Sequence, residues 1–382
     1  MKQMICLMSE QLIPSYLAVK HHQPDRVWRI LTEVTQKAGR DRMFCETIRQ
    51  YSGLQVDLPN CGDLVAEPTN FESTRHIVTK LLETVPDDEW IINVSGGNKM
   101  IAAGAILAGV IADRPLTYTD IANPNHVVDP RTGKAQPFGH GMNVLEFLSL
   151  YGFSGRPNTW RWPRQWLDLA QQFATDPPED YPFIHTREDK EPGKYGLKNY
   201  RNKFCNSFSA ELQRALAVLV HGPDLNARQY GFVAGTWLEA FLFELMERHE
   251  RALGINDVVP GIWIARADVE NQLDIALTRG LDFIYIECKA GRQKRIKAGD
   301  QIEEILGTLT RLRALRAKAL IATTGANFLG SDARALQREA AKRLREAGMN
   351  VLVRPDIVEL ATRRGDTAFI VSRLTSFLTG TA

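Results

Sequence analysis

The chain is poor in the residues that build small stapled or metal-held folds. Its five cysteines (Cys6, Cys45, Cys61, Cys205 and Cys288) are odd in number and never spaced as CxxC. That excludes a disulfide framework and a structural zinc site. The eight histidines form no HxH or HExxH pattern, and the adjacent His21 and His22 read as solvated residues. No apolar run reaches membrane-spanning length: the longest, Ile101 to Ala112, is interrupted by glycines and ends at Asp113. The first apolar stretch is too short for a signal peptide and is followed at once by Glu10, so the expected compartment is the cytoplasm. Internal repeats and low-complexity tracts are also missing.

What is present is a soluble, globular composition, 44% apolar and 24% charged over 382 residues. That length exceeds one ordinary core and predicts two domains with a connector. The net charge of +2 hides an asymmetry. Residues 1–150 carry 14 basic and 17 acidic side chains, whereas residues 289–346 carry 14 and 6. A polyanion would therefore meet the C-terminal half, although Arg-rich helix surfaces are also common without one.

The pattern predicts an α/β protein. Gln3–Leu7, Val27–Leu31, Gln55–Leu58 and Trp90–Val94 read as strands. They alternate with helical stretches at Gln11–Lys20, Thr35–Tyr51, Phe71–Thr84 and Asn98–Ala112. This implies a mostly parallel, Rossmann-like sheet in residues 1–150, with Thr117–Ala122 and His126–Asp129 as a short β addition. Residues 151–200, with Trp160, Trp162 and Trp166 and a proline-rich, charged stretch, read as a connector. Residues 201–382 read as a second α/β/α domain. Its predicted helices are Asn202–Val220, Ala234–Leu253, Gly299–Arg316 and Ala333–Ala347. Its predicted strands are Ile262–Ala267, Gln272–Thr278, Leu281–Lys289, Ala319–Thr323 and Asn350–Arg354. The tail reads as a helix at Ile357–Thr362 and a strand at Thr367–Val371.

Parallel sheets bind ligands in the loops at strand carboxyl ends. Ser9-Glu10-Gln11 and Ser95-Gly96-Gly97-Asn98-Lys99 occupy such positions. Two glycines, a helix N-terminus and Lys99 suit a phosphate; a glycine-rich turn capped by Ser95 or Asn98 would need no ligand. The GxxxxGK[ST] spacing is missing, so ATP hydrolysis is not indicated. The βα pattern with a strand-end Ser-Gly-Gly-Asn-Lys loop resembles the CRISPR-associated Rossmann-fold (CARF) sensor domain over residues 1–150. That resemblance implies a homodimer binding a cyclic oligoadenylate across its two-fold axis. Ser9, Glu10 and Gln11 would line the ligand, and Ser95, Gly96, Gly97, Asn98 and Lys99 would hold its phosphates. Thr119, Asp120 and His126 lie near strand ends without a matching role.

In the second half, Asp274 and the run Glu287-Cys288-Lys289 stand in otherwise apolar strands. Buried carboxylates are costly unless paired or bound to a metal. An Arg279-Gly280 turn would pair Leu277 with Asp282 and Asp274 with Tyr285. Asp274, Tyr285, Glu287 and Lys289 would then share one face and Cys288 the other. Asp274 and Glu287 could hold a hard divalent ion, with Lys289 beside the attacking water. Glu239, an acid in an apolar helix, is a third candidate. A structural salt bridge from Lys289 is the plain alternative. Glu239, Asp274, Glu287 and Lys289, in this order, resemble the catalytic set of the PD-(D/E)xK nucleases, without the proline before the first aspartate. Gln301 on the next helix could touch the site, and Asp282 is a weaker first acid. Arg292, Lys294, Arg295 and Lys297 would track a nucleic-acid backbone or lie in a solvated loop.

A CARF domain, a connector and a PD-(D/E)xK domain together resemble the ancillary nucleases of type III CRISPR systems. This implies a homodimeric antiviral effector activated by cyclic tetra-adenylate and cutting RNA or DNA with Mn²⁺ or Mg²⁺. A ligand-responsive nucleic-acid-binding regulator without cleavage, and a ring nuclease acting on its own ligand, are the alternatives.

Overall fold

The computed structural model describes residues 1–119, 126–138, 141–177, 227–266, 269–290, 317–324 and 350–380. The chain divides into two compact units. One is Met1–Gly155 with Ala265–Val269; the other is Arg156–Ile264 with Glu270–Ala382.

At the centre of the first unit lies β1 (Lys2–Leu7), buried from Gln3 to Leu7. Such an unbroken buried run is what a parallel strand covered on both faces requires. It pairs in parallel with β2 (Arg26–Ile30) on one side and β3 (Glu89–Asn93) on the other. Next to β3 come β4 (Leu116–Thr119), again parallel, and the antiparallel β5 (His126–Val128) and β6 (Ala135–Pro137). The order is β2-β1-β3-β4-β5-β6. Strand order therefore reverses between β1 and β3, and the loops that follow these two strands flank the crevice at that point.

Two helices, Phe71–Thr84 and Lys99–Ile111, share a core with β1 and β3 that includes Ile5, Leu7, Val78, Leu82, Trp90, Ile92, Ile101 and Ala105. The helices approach closely because Gly104 has no side chain: a Cβ there would stand 2.3 Å from the Phe71 carbonyl oxygen.

Two expectations in this unit are corrected. Gln55–Leu58 is no strand: Asp57 makes a single bridge to Arg26, and Pro59 stops the run. Thr35–Tyr51 is two helices, Glu33–Lys37 and Arg40–Tyr51, broken at Gly39, whose φ of +66° lies in the left-handed region.

The second sheet has the order β12-β11-β10-β9-β8-β7. Its strands are β7 (Ser154–Arg156), β8 (Ile255–Arg266), β9 (Val269–Arg279), β10 (Asp282–Lys289), β11 (Ala317–Thr323) and β12 (Asn350–Leu352). β9 and β10 are antiparallel, whereas β10, β11 and β12 are parallel. The helix Trp237–Arg248 packs on this sheet through Leu238, Phe241, Leu242 and Leu245, and the helix Arg164–Thr175 adds Leu169, Phe173 and Ala174 to the same core.

The tail strand expected at Thr367–Val371 is instead the start of a helix, Thr367–Thr379. Asp366 caps it by accepting the Phe369 N–H at 3.0 Å, and Ile370, Leu374, Phe377 and Leu378 are buried at helical spacing. The β-branched residues at its start pointed to a strand, but the longer period prevails. The expected helices at Asn202–Val220, Gly299–Arg316 and Ala333–Ala347 lie outside the described residues, as do residues 178–200 of the connector and Asp120. Among the described residues no helix is long and apolar enough to cross a membrane.

Gly104→Ala should lower stability by about 1–3 kcal/mol, because backbone rather than a flexible side chain occupies the space. Thermal melting of the variant against the parent measures this, and an unchanged melting temperature would contradict the close helix contact.

Candidate active site

The hairpin of β9 and β10 turns at Gly280-Leu281, with Gly280 at φ +58°. A two-residue turn with left-handed backbone only at its first central position favours glycine there. The turn therefore sits one residue later than expected. Leu277 faces Ile284 rather than Asp282, and Tyr285 faces Ala276 rather than Asp274. One step beyond the Ile275–Ile286 pair, Asp274 stands opposite Glu287. The slip is even, so side chains keep their faces, and Cys288 packs in the core.

Here the ladder gives way to side-chain bonds. The Cys288 backbone N–H donates to Asp274 Oδ2 at 2.8 Å. The Tyr285 hydroxyl donates to Glu287 Oε2 at 3.1 Å. Lys289 Nζ forms an ion pair with Glu287 Oε1. This is the salt bridge that a sheet surface alone would also make. The excess of negative charge sets the site apart, because Asp274 and Glu239 remain beyond that pair.

Glu239 is the third residue of the helix Trp237–Arg248. Its carboxyl is held well above the ordinary carboxylate range, first by burial, then by the charges of Asp274 and Glu287, with Lys289 opposing. Burial, then Glu287, raises Asp274 to about 7; Lys289 and the Cys288 N–H pull the other way. The helix is preceded by the stretch Phe232–Thr236, which is kinked at Gly235 and in which Thr236 Oγ1 donates to the Gly231 carbonyl at 3.0 Å. Gly235 in that stretch lies beside Ala290, its missing Cβ leaving 3.8 Å to the alanine methyl.

Glu239, Asp274, Glu287 and Lys289 are thus within electrostatic reach of one another. Among the described residues no three or more His, Cys, Asp or Glu side chains are gathered as a metal-holding group. The nearest donor set is the opposed pair Asp274 and Glu287. Asp282 is spent elsewhere, paired with Lys318 at 2.6 Å. Gln301, Arg292, Lys294, Arg295 and Lys297 lie outside the described residues.

In the first unit, the two candidate loops meet at Leu7. A Cβ on Gly96 would lie 1.8 Å from the Leu7 carbonyl oxygen, so only glycine lets the loop after β3 rest on the end of β1. Gly97 follows at φ +74°. Asn98 is spent on capping, its Oδ1 accepting the N–H groups of Met100 and Ile101 at 3.0 Å. Lys99, Glu10 and Gln11 are exposed, and Ser9 Oγ turns back onto Gln11. Two residues that sequence reading gave no role hold Ser95. Buried Asn93 Oδ1 accepts from Ser95 Oγ at 2.6 Å and from its N–H at 3.0 Å. The Thr119 N–H donates to Ser95 Oγ at 2.7 Å. A polar residue ending an apolar strand was the available signal for Asn93.

Residues 226–350 match the family model of the Card1-like endonuclease domain. The structure is similar to Can2 from Sulfobacillus thermosulfidooxidans, solved in complex with cyclic tetra-adenylate. The TM-score is 0.69 at 19% identity, over 99% of either chain. Protein VC1899 from Vibrio cholerae gives a TM-score of 0.68 at 15% identity, over 97% of this chain and 98% of its own. A type III CRISPR defence DNA nuclease activated by cyclic oligoadenylate gives 0.55 at 17% identity, over 85% of this chain but 46% of its own. No curated protein matches the chain by sequence. At these identities the likeness is one of fold.

Because the folded Asp274 carboxyl binds its proton more tightly than an unfolded one, its contribution to stability falls as pH rises from about 4 to about 7. Asp274→Asn keeps an acceptor for the Cys288 N–H and removes the titration. With a chelator present, parent minus variant stability should decline over that window by roughly 1–3 kcal/mol. A flat difference in melts at stepped pH would contradict the crowding of these acids.

Proposed function

From a chain that has the fold of the CARF nucleases and a Card1-like endonuclease domain over residues 226–350, we infer a phosphodiester hydrolase switched on by a cyclic oligoadenylate. The observation that carries this reading is the surplus of acid at Glu239, Asp274 and Glu287 around the single ammonium of Lys289, which is paired with Glu287. Such a surplus is stable only with protons or a cation beside it.

The donor set fits a hard divalent ion, Mn²⁺ or Mg²⁺, held by Asp274 and Glu287 with water completing its shell. When bound, such an ion supplies an acidified water and offsets the charge that builds on the phosphate. Lys289, paired here with Glu287, would supply an ammonium beside the scissile phosphate. Glu239, whose carboxyl feels the charges of Asp274 and Glu287, would hold a proton beside them. RNA or DNA is the substrate.

In the sensor, backbone N–H groups of Gly96, Gly97 and Asn98 at a helix N-terminus, with Lys99, suit a phosphate of cyclic tetra-adenylate. Ser9, Glu10 and Gln11 border the same crevice at the end of β1. Support for a homodimer comes from the next helix. Met100, Leu107, Val110 and Ile111 expose an apolar stripe on its outer side, a face of the kind that marks interaction sites. Ligand would then favour the dimer state in which the nuclease units engage substrate, in the cytoplasm, as part of type III CRISPR defence.

Cleavage of labelled RNA, single-stranded DNA and plasmid with Mn²⁺ should appear only with cyclic tetra-adenylate. Glu287→Ala and Asp274→Ala should each lower the rate at least 100-fold while leaving ligand affinity intact. Lys99→Ala should weaken ligand binding and raise the activating concentration about tenfold or more, without lowering the saturated rate. Cleavage that survives Glu287→Ala would remove the site.

Leu107→Glu should convert a dimer to a monomer in sedimentation equilibrium. A parent chain that sediments as a monomer with ligand bound would overturn the homodimer.

A further inference from the structure

Three tryptophans of the second unit form a row beside the helical stretch that carries Glu239. The Trp166 ring lies 4.9 Å from Phe232, Trp160 lies 5.0 Å from Trp166 and 6.0 Å from Trp162, and Trp162 lies 5.8 Å from Phe243. Phe243 lies one turn beyond Glu239 on the helix Trp237–Arg248, and Phe232 lies before the kink at Gly235 that precedes that helix. The row therefore meets the chain on both sides of Glu239 in sequence. Trp162 and Trp166 pack on the core. Trp160 sits outside them, half-buried, its ring edge-on to both.

Arginines, not acids, lie over these rings. The Arg228 guanidinium stands 5.7 Å from the centre of the Trp160 ring, and that of Arg161 stands 5.1 Å from the centre of the Phe243 ring. Both arginines are exposed. Glu244 and Asp168 both pair with Arg164, at 3.0 Å and 3.1 Å. An indole face with guanidinium groups beside it is the surface on which a nucleobase stacks while its phosphates meet the cations. A duplex offers phosphates but hides the faces of its bases.

We propose that Trp160, with Arg228 and Arg161, is a stacking platform that holds an unpaired nucleobase of a single-stranded substrate beside the catalytic acids. The proposal rests on the nuclease reading and adds to it a recognition element for unpaired strand. The rings are fixed in place before substrate arrives, since Asn158 Oδ1 accepts the Trp160 backbone N–H at 3.0 Å. Binding would therefore cost little ordering of the platform.

The test uses the full chain with cyclic tetra-adenylate, in a Glu287→Gln background that binds without cutting. Fluorescence anisotropy reads a labelled 20-nucleotide oligothymidine, an abasic strand of equal length and a 20-base-pair duplex. Trp160→Ala should weaken oligothymidine about tenfold, Trp160→Phe less than threefold, and the abasic strand and duplex should be unaffected by either. In the active enzyme, Trp160→Ala should raise KM for single strands with kcat unchanged. Equal losses on abasic strand and oligothymidine would overturn the platform in favour of a backbone track, and an unchanged oligothymidine affinity would overturn it in favour of packing alone. Should Trp160→Ala not fold by circular dichroism, Arg228→Gln provides the second reading: a loss of at least threefold on oligothymidine is expected, and no loss overturns the proposal. A parent chain that neither binds nor cuts any strand would instead refute the nuclease reading itself.

Discussion

The second unit is organised around an electrostatic imbalance. Glu239, Asp274 and Glu287 face one ammonium, that of Lys289, which is already paired with Glu287. Core strands do not accumulate acid without compensation, because desolvating each charge costs several kcal/mol. The protein meets this with raised carboxyl pKa values and a backbone N–H aimed at Asp274. Both measures leave acceptors whose charge a cation can complete. Stability on this hairpin is thus lower than an apolar sheet would give.

The first unit obeys a different constraint, closeness of backbone. Gly96 against the Leu7 carbonyl brings the ends of β1 and β3 together. Asn93 and Thr119 fix Ser95, and Asn98 caps the helix. Most side chains of the loop are occupied by the loop itself, which leaves backbone and Lys99 to meet an anion. The two units therefore use opposite resources: one accumulates negative side chains, the other presents amide donors.

Much of this was legible in the residues. The alternation of apolar runs and amphipathic stretches located β1, β2, β3 and the helices between them, because burial on both faces leaves uninterrupted apolar strands. The same-face relation of Asp274, Glu287 and Lys289 was readable from parity alone. The turn register was not: it depended on which central position Gly280 would take, a question of backbone φ rather than polarity. Gln55–Leu58 and Thr367–Val371 misled for a shared reason, since short β-branched or alternating runs carry little information until their neighbours are known. The Cys288 N–H that holds Asp274 was beyond reach, because every residue except proline has that donor and only geometry selects one.

The kink at Gly235 has a consequence for how this protein can vary. The helical path is broken at Gly235, and a helix advances about 100° per residue, so the number of residues between that kink and Glu239 sets the direction of its side chain. Removing one residue there would leave the helix intact and its apolar composition unchanged, yet swing Glu239 away from the hairpin by more than a quarter of a circle. Length in this short stretch is therefore under tighter restraint than identity, and substitutions should be tolerated where deletions are not.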